Sequence, residues 1–232
     1  MRRLGTIAAA VFCAAALASS AAALCRQALV LGLDVSASVD STEYRLQLDG
    51  LGRALLSPDV SARILEMPNA PISLYVFEWG GPGAQRTVLP WVSLIDRKTL
   101  EDAVTRIRSH RRDPLGDSVD QSTAIGPALR HGLAAIQEQT QCWKRTIDIS
   151  GDGKHNTGGD PRLVNPDLAR SAVTVNGLVL SVDRQRGGDI RQREIGELSS
   201  YYYAFVIHGP DAFIETALGF RDFERAMKRK LL

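Results

Sequence analysis

The strongest constraint on this chain is an alternation of two periodicities. Short apolar runs bounded by turn residues take turns with longer segments whose apolar positions recur at helical spacing. "QALVLGL" (27–33) is apolar on both faces, as a strand in a sheet interior must be. "DSTEYRLQLDGLGRALLS" then carries Tyr44, Leu48, Leu51 and Leu55 on one helical face, with Ser41 placed to cap its start. "APISLYVFEWG" (70–80) and "RTVLPWVSLI" (86–95) read as strands joined by the turn "GGPGA", hence a hairpin, and Pro90 assigns the second to a sheet edge.

The pattern continues with an amphipathic helix over 96–110, a helix from Thr123 to about Gln139, and the strand "KRTIDIS". A helix from about Pro166 to Val173, the strand "GLVLSVD", a helix around Ile190 to Leu198 and the strand "YAFVIHG" come next. A closing helix from about Asp211 to Leu231 carries Phe220, Phe223, Met227 and Leu231 as an apolar stripe for the core. Strands alternating with helices imply a mostly parallel sheet covered on both faces, so the expectation is one α/β domain over residues 24–232.

The first residues stand apart from this pattern. Arg2 and Arg3 precede the apolar stretch "IAAAVFCAAALA" and the small residues "SSAAA", with Ala21 and Ala23 forming an Ala-x-Ala exit. Residues 1–23 therefore read as a secretory signal peptide; the alternative, an N-terminal membrane anchor, is disfavoured by the shortness of the apolar run. Without that segment 26 of the 28 basic residues remain against 26 acidic ones, and no further stretch has the length and apolarity of a membrane span. A balanced charge argues against a nucleic-acid or anionic-membrane binder. Cys25 and Cys142 remain as an even pair, which in an exported protein suggests a disulfide.

Two predicted strand ends are rich in oxygen: "DVSAS" (34–38) after the first and "GDGKHN" (151–156) after the fourth. Between them "QSTAIGPAL" sets Thr123 at a helix start. In open α/β sheets ligands bind beyond the carboxyl ends of the strands, where strand order reverses. The three segments meet only if the first and fourth strands are neighbours.

Asp34-x-Ser36-x-Ser38, Thr123 before a "GxAL" helix, and Asp152-Gly153 after a strand together resemble the metal-ion-dependent adhesion site of von Willebrand factor type A (VWA) domains. Their order and element types agree over nearly all of residues 25–232, and the late "YYYAFVIHGP" resembles an uncharacterised secreted bacterial subfamily. The resemblance implies a three-layer, doubly wound, Rossmann-like fold with a six-stranded, mostly parallel sheet and one antiparallel edge strand. It also implies that Ser36, Ser38 and in some members Thr123 bind a divalent cation directly, while Asp34 and Asp152 act through water. Magnesium is the expected ion, with manganese or calcium as alternatives, since hard cations take oxygen donors. Neutral hydroxyls leave much of the ion's charge uncompensated, so an open coordination position would attract an Asp or Glu of a protein partner. Two positions depart from the family pattern: Gly151 intervenes between Ser150 and Asp152, and Ser122 stands where a glycine is common.

Cys25 lies nine residues before Asp34 and Cys142 ten before Asp152. If the two strands are adjacent and parallel, both cysteines fall at the opposite edge and are expected to bridge. Asp117 and Asp120 read as solvated loop residues, His155 as a loop histidine, and "RIRSHRR" (106–112) as the polar end of a helix. "GDGKHNTGG" lacks the order of a phosphate-binding loop.

The leading expectation is therefore an exported, periplasmic or extracellular binding module rather than an enzyme. The competing readings are a metal-assisted hydrolase of phosphate or acyl esters, for which His155 is the one base in the site segments, and a structural envelope protein whose site has lost its ion.

Overall fold

In a computed structural model, residues 25–112, 122–181 and 188–232 are described. The expected signal peptide, Asp117 and Asp120 lie outside them. The first strand, β1 (Cys25–Asp34), is buried along nearly its whole length. Its side chains alternate between two cores. Leu29, Leu31 and Leu33 enter one, while Ala28 and Val30 enter the other.

Six strands form one sheet in the order β3-β2-β1-β4-β5-β6. β2 (Ile72–Trp79), β4 (Cys142–Gly151), β5 (Thr174–Leu180) and β6 (Ile214–Ala217) run parallel to β1, and β3 (Arg86–Leu94) pairs antiparallel with β2. This is the mostly parallel α/β sheet that the alternation implied, in the doubly wound arrangement that the VWA resemblance implied. The hairpin and the edge position of Pro90 are both present, and Pro90 falls where the β2–β3 register shifts. A bulge is where a residue without an N–H fits a sheet.

Helices α1 (Ser41–Leu56), α2 (Pro58–Leu65), α3 (Arg97–Ser109) and α7 (Phe223–Leu231) cover one face, with Leu48, Leu51, Val60, Val104, Phe223 and Met227 in its core. α4 (Ile125–Ile136), α5 (Asn165–Arg170) and α6 (Gly188–Phe205) cover the other through Leu129, Leu133, Leu168, Leu198 and Tyr202.

Several boundaries differ from the sequence expectation. The cap of α1 is Asp40 rather than Ser41. The Asp40 carboxylate accepts from the amides of Thr42 and Glu43 at 2.7 and 2.8 Å, and Glu43 accepts from the Asp40 amide in return. A charged carboxylate outcompetes a hydroxyl at a positively polarised helix end. α2 was not expected; Pro58 opens it, and Val60 and Ile64 bury its inner face.

The run "YAFVIHG" is not a strand. Leu198, Tyr202 and Val206 are buried at a spacing of four, so α6 extends to Phe205, and beyond it His208 makes a single antiparallel bridge to Val175. The last strand is Ile214–Ala217, inside the segment expected to be helical, and the closing helix begins only at Phe223. Gly219, at φ 105°, makes the turn between them.

Cys25 and Cys142 are register partners on β1 and β4, with Cα atoms 4.4 Å apart, and form a disulfide. It closes a loop with a sequence separation of 117 residues. Replacing both cysteines by serine is expected to lower unfolding stability by about 2–5 kcal/mol. Urea denaturation at neutral pH measures this, and an unchanged midpoint would show that the bridge contributes nothing.

Candidate functional site

The strand order turns back on itself between β1 and β4. Crossovers from these two strands leave in opposite directions, so a crevice opens beyond their carboxyl ends. Asp34 ends β1 and is fully buried; Ser36 and Ser38 follow in the loop to α1; Asp152 directly follows β4. The Asp34 Oδ1 accepts from the Ser36 amide at 2.8 Å, folding the loop over the strand end. The Ser36 and Ser38 hydroxyls are 3.1 Å apart, and the Ser38 hydroxyl donates to Asp152 Oδ1 at 2.6 Å. The glycine ahead of Asp152 therefore does not keep that carboxylate from the serines.

Thr123 enters from the segment before α4. Its hydroxyl oxygen lies 3.4 Å from where a Cβ on Gly153 would sit, beside the strand end that carries Asp152. Its backbone is clamped at both polar groups: the Thr123 amide donates to Asn156 Oδ1 at 2.9 Å, and the Asn156 amide donates to the Thr123 carbonyl at 3.0 Å. Asp34, Ser36, Ser38 and Asp152 are thus linked at one rim, and Thr123 stands beside Gly153 next to it.

The electrostatics of the rim are unfavourable as they stand. Burial, and secondarily the negative charge of Asp152, push the Asp34 carboxyl up to about 7. Among the described residues its Oδ2 has no hydrogen-bond partner although it is buried. Nor do three or more His, Cys, Asp or Glu side chains gather among the described residues as a metal-holding group. The donors are two carboxylates and three hydroxyls, a set suited to a hard cation and not to one that prefers nitrogen or sulfur. A cation beside Asp34 and Asp152 would remove their mutual repulsion, so the residues present fit such an ion.

Comparison with known proteins places this geometry in context. A family model described as "Protein of unknown function (DUF1194)" matches residues 24–232. The chain belongs to the DUF1194 family. No curated protein matches its sequence.

Among solved structures, the DUF1194 chain is similar to proximal thread matrix protein 1 from the mussel byssus, at 17% identity and a TM-score of 0.57, over 90% of this chain and 48% of that one. A further structure of that mussel protein is described as having a zinc-occupied MIDAS motif. The pilus adhesin SpaC from Lactobacillus rhamnosus GG matches at 13% identity and a TM-score of 0.57, over 90% of this chain and 30% of that one. A von Willebrand factor type A structure from Catenulispora acidiphila matches at 13% identity and a TM-score of 0.52, over 89% and 42% of the two chains. The DUF1194 chain thus spans less than half the length of each of these proteins, and the likeness shows its fold to be of the VWA type.

Supporting residues of the DUF1194 rim were not legible in the sequence. Asn156 has no motif of its own. Gln47, on α1, donates from Nε2 to the Asp34 carbonyl at 2.8 Å. Arg112 lies beyond the end of α3, and both of its terminal nitrogens donate at 2.7 Å to the Val35 and Val39 carbonyls, bracketing the serine loop. That is a more specific role than the polar helix end expected for "RIRSHRR". His155 is half-buried, and desolvation lowers the basicity of its ring.

A groove of about 1190 Å³ flanks the same loop, lined among others by Tyr44, Arg45, Glu78, Arg86, Arg111 and Arg112. At its floor Tyr44 donates to the buried Glu78 at 3.0 Å.

Because the folded-state pKa of Asp34 is raised, its ionised form opposes folding when no ion is bound. This destabilisation is absent below the unfolded value of 3.8 and grows as the pH rises toward about 7. Asp34→Asn, studied in chelator, is therefore expected to raise the melting temperature by roughly 5 °C or more at pH 7.5 and to leave it little changed at pH 4. Differential scanning calorimetry checks this, and equal effects at the two pH values would contradict it.

Proposed function

We propose that this protein is an exported binding module that holds a divalent cation at its rim and uses it to capture an acidic side chain of a protein partner. Ser36, Ser38 and Thr123 are its hydroxyl donors, and Asp34 and Asp152 supply the negative charge. Magnesium suits this donor set best, with manganese or calcium as alternatives. The ion, when bound, supplies an electrophilic position that a carboxylate can occupy. The chain's own residues fix the rim: Arg112 brackets the serine loop, Gln47 ties down the Asp34 backbone, and Asn156 clamps Thr123.

The observation that carries this reading is the fully buried Asp34 beside Asp152, a like-charged pair among three hydroxyls at the switch point of the sheet. The arginine-lined groove next to the rim supports an acidic partner, since it adds positive potential where that partner would approach. The VWA fold supports a binding role over a catalytic one, as does the naming of one structural neighbour as a pilus adhesin. A disulfide is consistent with export, and among the described residues no helix is long and apolar enough to cross a membrane.

Isothermal titration with magnesium and manganese is expected to give a one-site binding heat for the wild type and none for Asp34→Ala. Partner capture from envelope extract should be lost in chelator and in Asp34→Ala. Capture that survives both treatments would overturn the ion-bridged mode of binding.

A further inference from the structure

Behind the rim, on the sheet face covered by α6, lie two buried polar groups that the ion-binding reading leaves unused, beside a carboxylate oxygen of Asp34. Tyr202, on α6, is fully buried, and among the described residues its hydroxyl has no hydrogen-bond partner. The same holds for the indole nitrogen of Trp79 at the end of β2 and for Oδ2 of Asp34. These groups surround one place. A Cβ built on Gly151 would collide with the Tyr202 hydroxyl, lie 2.9 Å from Asp34 Oδ2 and lie 3.3 Å from Trp79 Cζ2.

The tyrosine reaches this place along a slot made by two glycines. Gly177 of β5 pairs with Ile149 of β4, two residues before Gly151 on the same face. A Cβ on Gly177 would lie 2.8 Å from Tyr202 Cδ1. Any side chain at 177 would therefore displace the ring, and any at 151 would displace the hydroxyl. This accounts for the residue that interrupts the family pattern between Ser150 and Asp152. Gly151 is the position whose missing side chain admits a phenol to the back of the site.

A buried hydroxyl without a partner is costly, by about 1–3 kcal/mol, and so is a buried carboxylate oxygen without one. Both groups border the place a Gly151 side chain would fill, and a hydrogen bond from the hydroxyl to Oδ2 would resolve both costs.

We propose that Tyr202 is the positioning residue of this ion site, donating a hydrogen bond from its hydroxyl to Oδ2 of Asp34 and so orienting that carboxylate toward the ion. The inference rests on the ion-binding reading above and adds a specific residue of α6, more than 160 positions from Asp34 in the chain, to its machinery. Groups that orient ion ligands from behind contribute about 10- to 100-fold to ion affinity.

The test compares the full chain with Tyr202→Phe, which keeps the ring in its slot and removes only the hydroxyl. Manganese affinity by calorimetry should fall about 10- to 100-fold, while the melting temperature in chelator stays equal to or above that of the wild type. A merely structural tyrosine would give the opposite pattern, with lower ion-free stability and unchanged affinity, and that result overturns the proposal. Affinity within twofold of the wild type overturns it as well, while leaving the ion site standing. A wild type that binds neither manganese nor magnesium overturns the ion site and this inference together. Gly151→Ala, which drives a methyl group into the hydroxyl, serves as the second variant. Its affinity should fall in the same range, and wild-type affinity in a folded Gly151→Ala protein also counts against Tyr202.

Discussion

The side-by-side, parallel pairing of β1 with β4 is the constraint on which the rest of the molecule depends. Their register runs from Cys25 opposite Cys142 to Leu33 opposite Ser150 without a break. One end of this strand pair is closed covalently and the other opens into the crevice. Asp34 and Asp152 come together because the strands that lead to them are bridged nine and ten residues earlier. Burial then makes the pair electrostatically unstable, and the fold retains that instability as the basis of its chemistry.

The features legible in the sequence were those written in a local periodicity or in a short run. The doubly apolar β1, the hairpin with Pro90 and the central helices follow from side chains that repeat at two or at three to four residues. The serine loop, Thr123 and Asp152 were visible because chemical function there is concentrated within a few positions. The last third was less legible. Tyr202, Phe205 and Val206 suit a strand or a helix equally by composition, and only packing against β5 decides for the helix. The strand Ile214–Ala217 is four residues long and carries a glutamate and a threonine, so no apolar run announced it.

The supporting shell of the site was hidden for a different reason. Gln47, Arg112, Asn156 and Tyr202 act on residues far from them in sequence, mostly through backbone carbonyls and amides that have no sequence signature. A polar residue on a helix or in a loop reads as solvated until its long-range partner is known. Gly151 was the one trace of this shell in the primary structure. It was visible as a departure from a pattern, and its meaning emerged only from the side chain that occupies its neighbourhood.

The two margins of the sheet set a further condition on how this molecule can meet others. β3 carries Pro90 at a register shift, and β6 offers only four residues. Open strand margins elsewhere act as templates on which foreign strands zip up by main-chain pairing, a route to fibres and to promiscuous stickiness. Here one margin is interrupted by a residue that cannot donate, and the other is too brief to nucleate a ladder. Self-association by sheet extension is thereby discouraged, so crowding need not turn the fold into a seed for polymerisation.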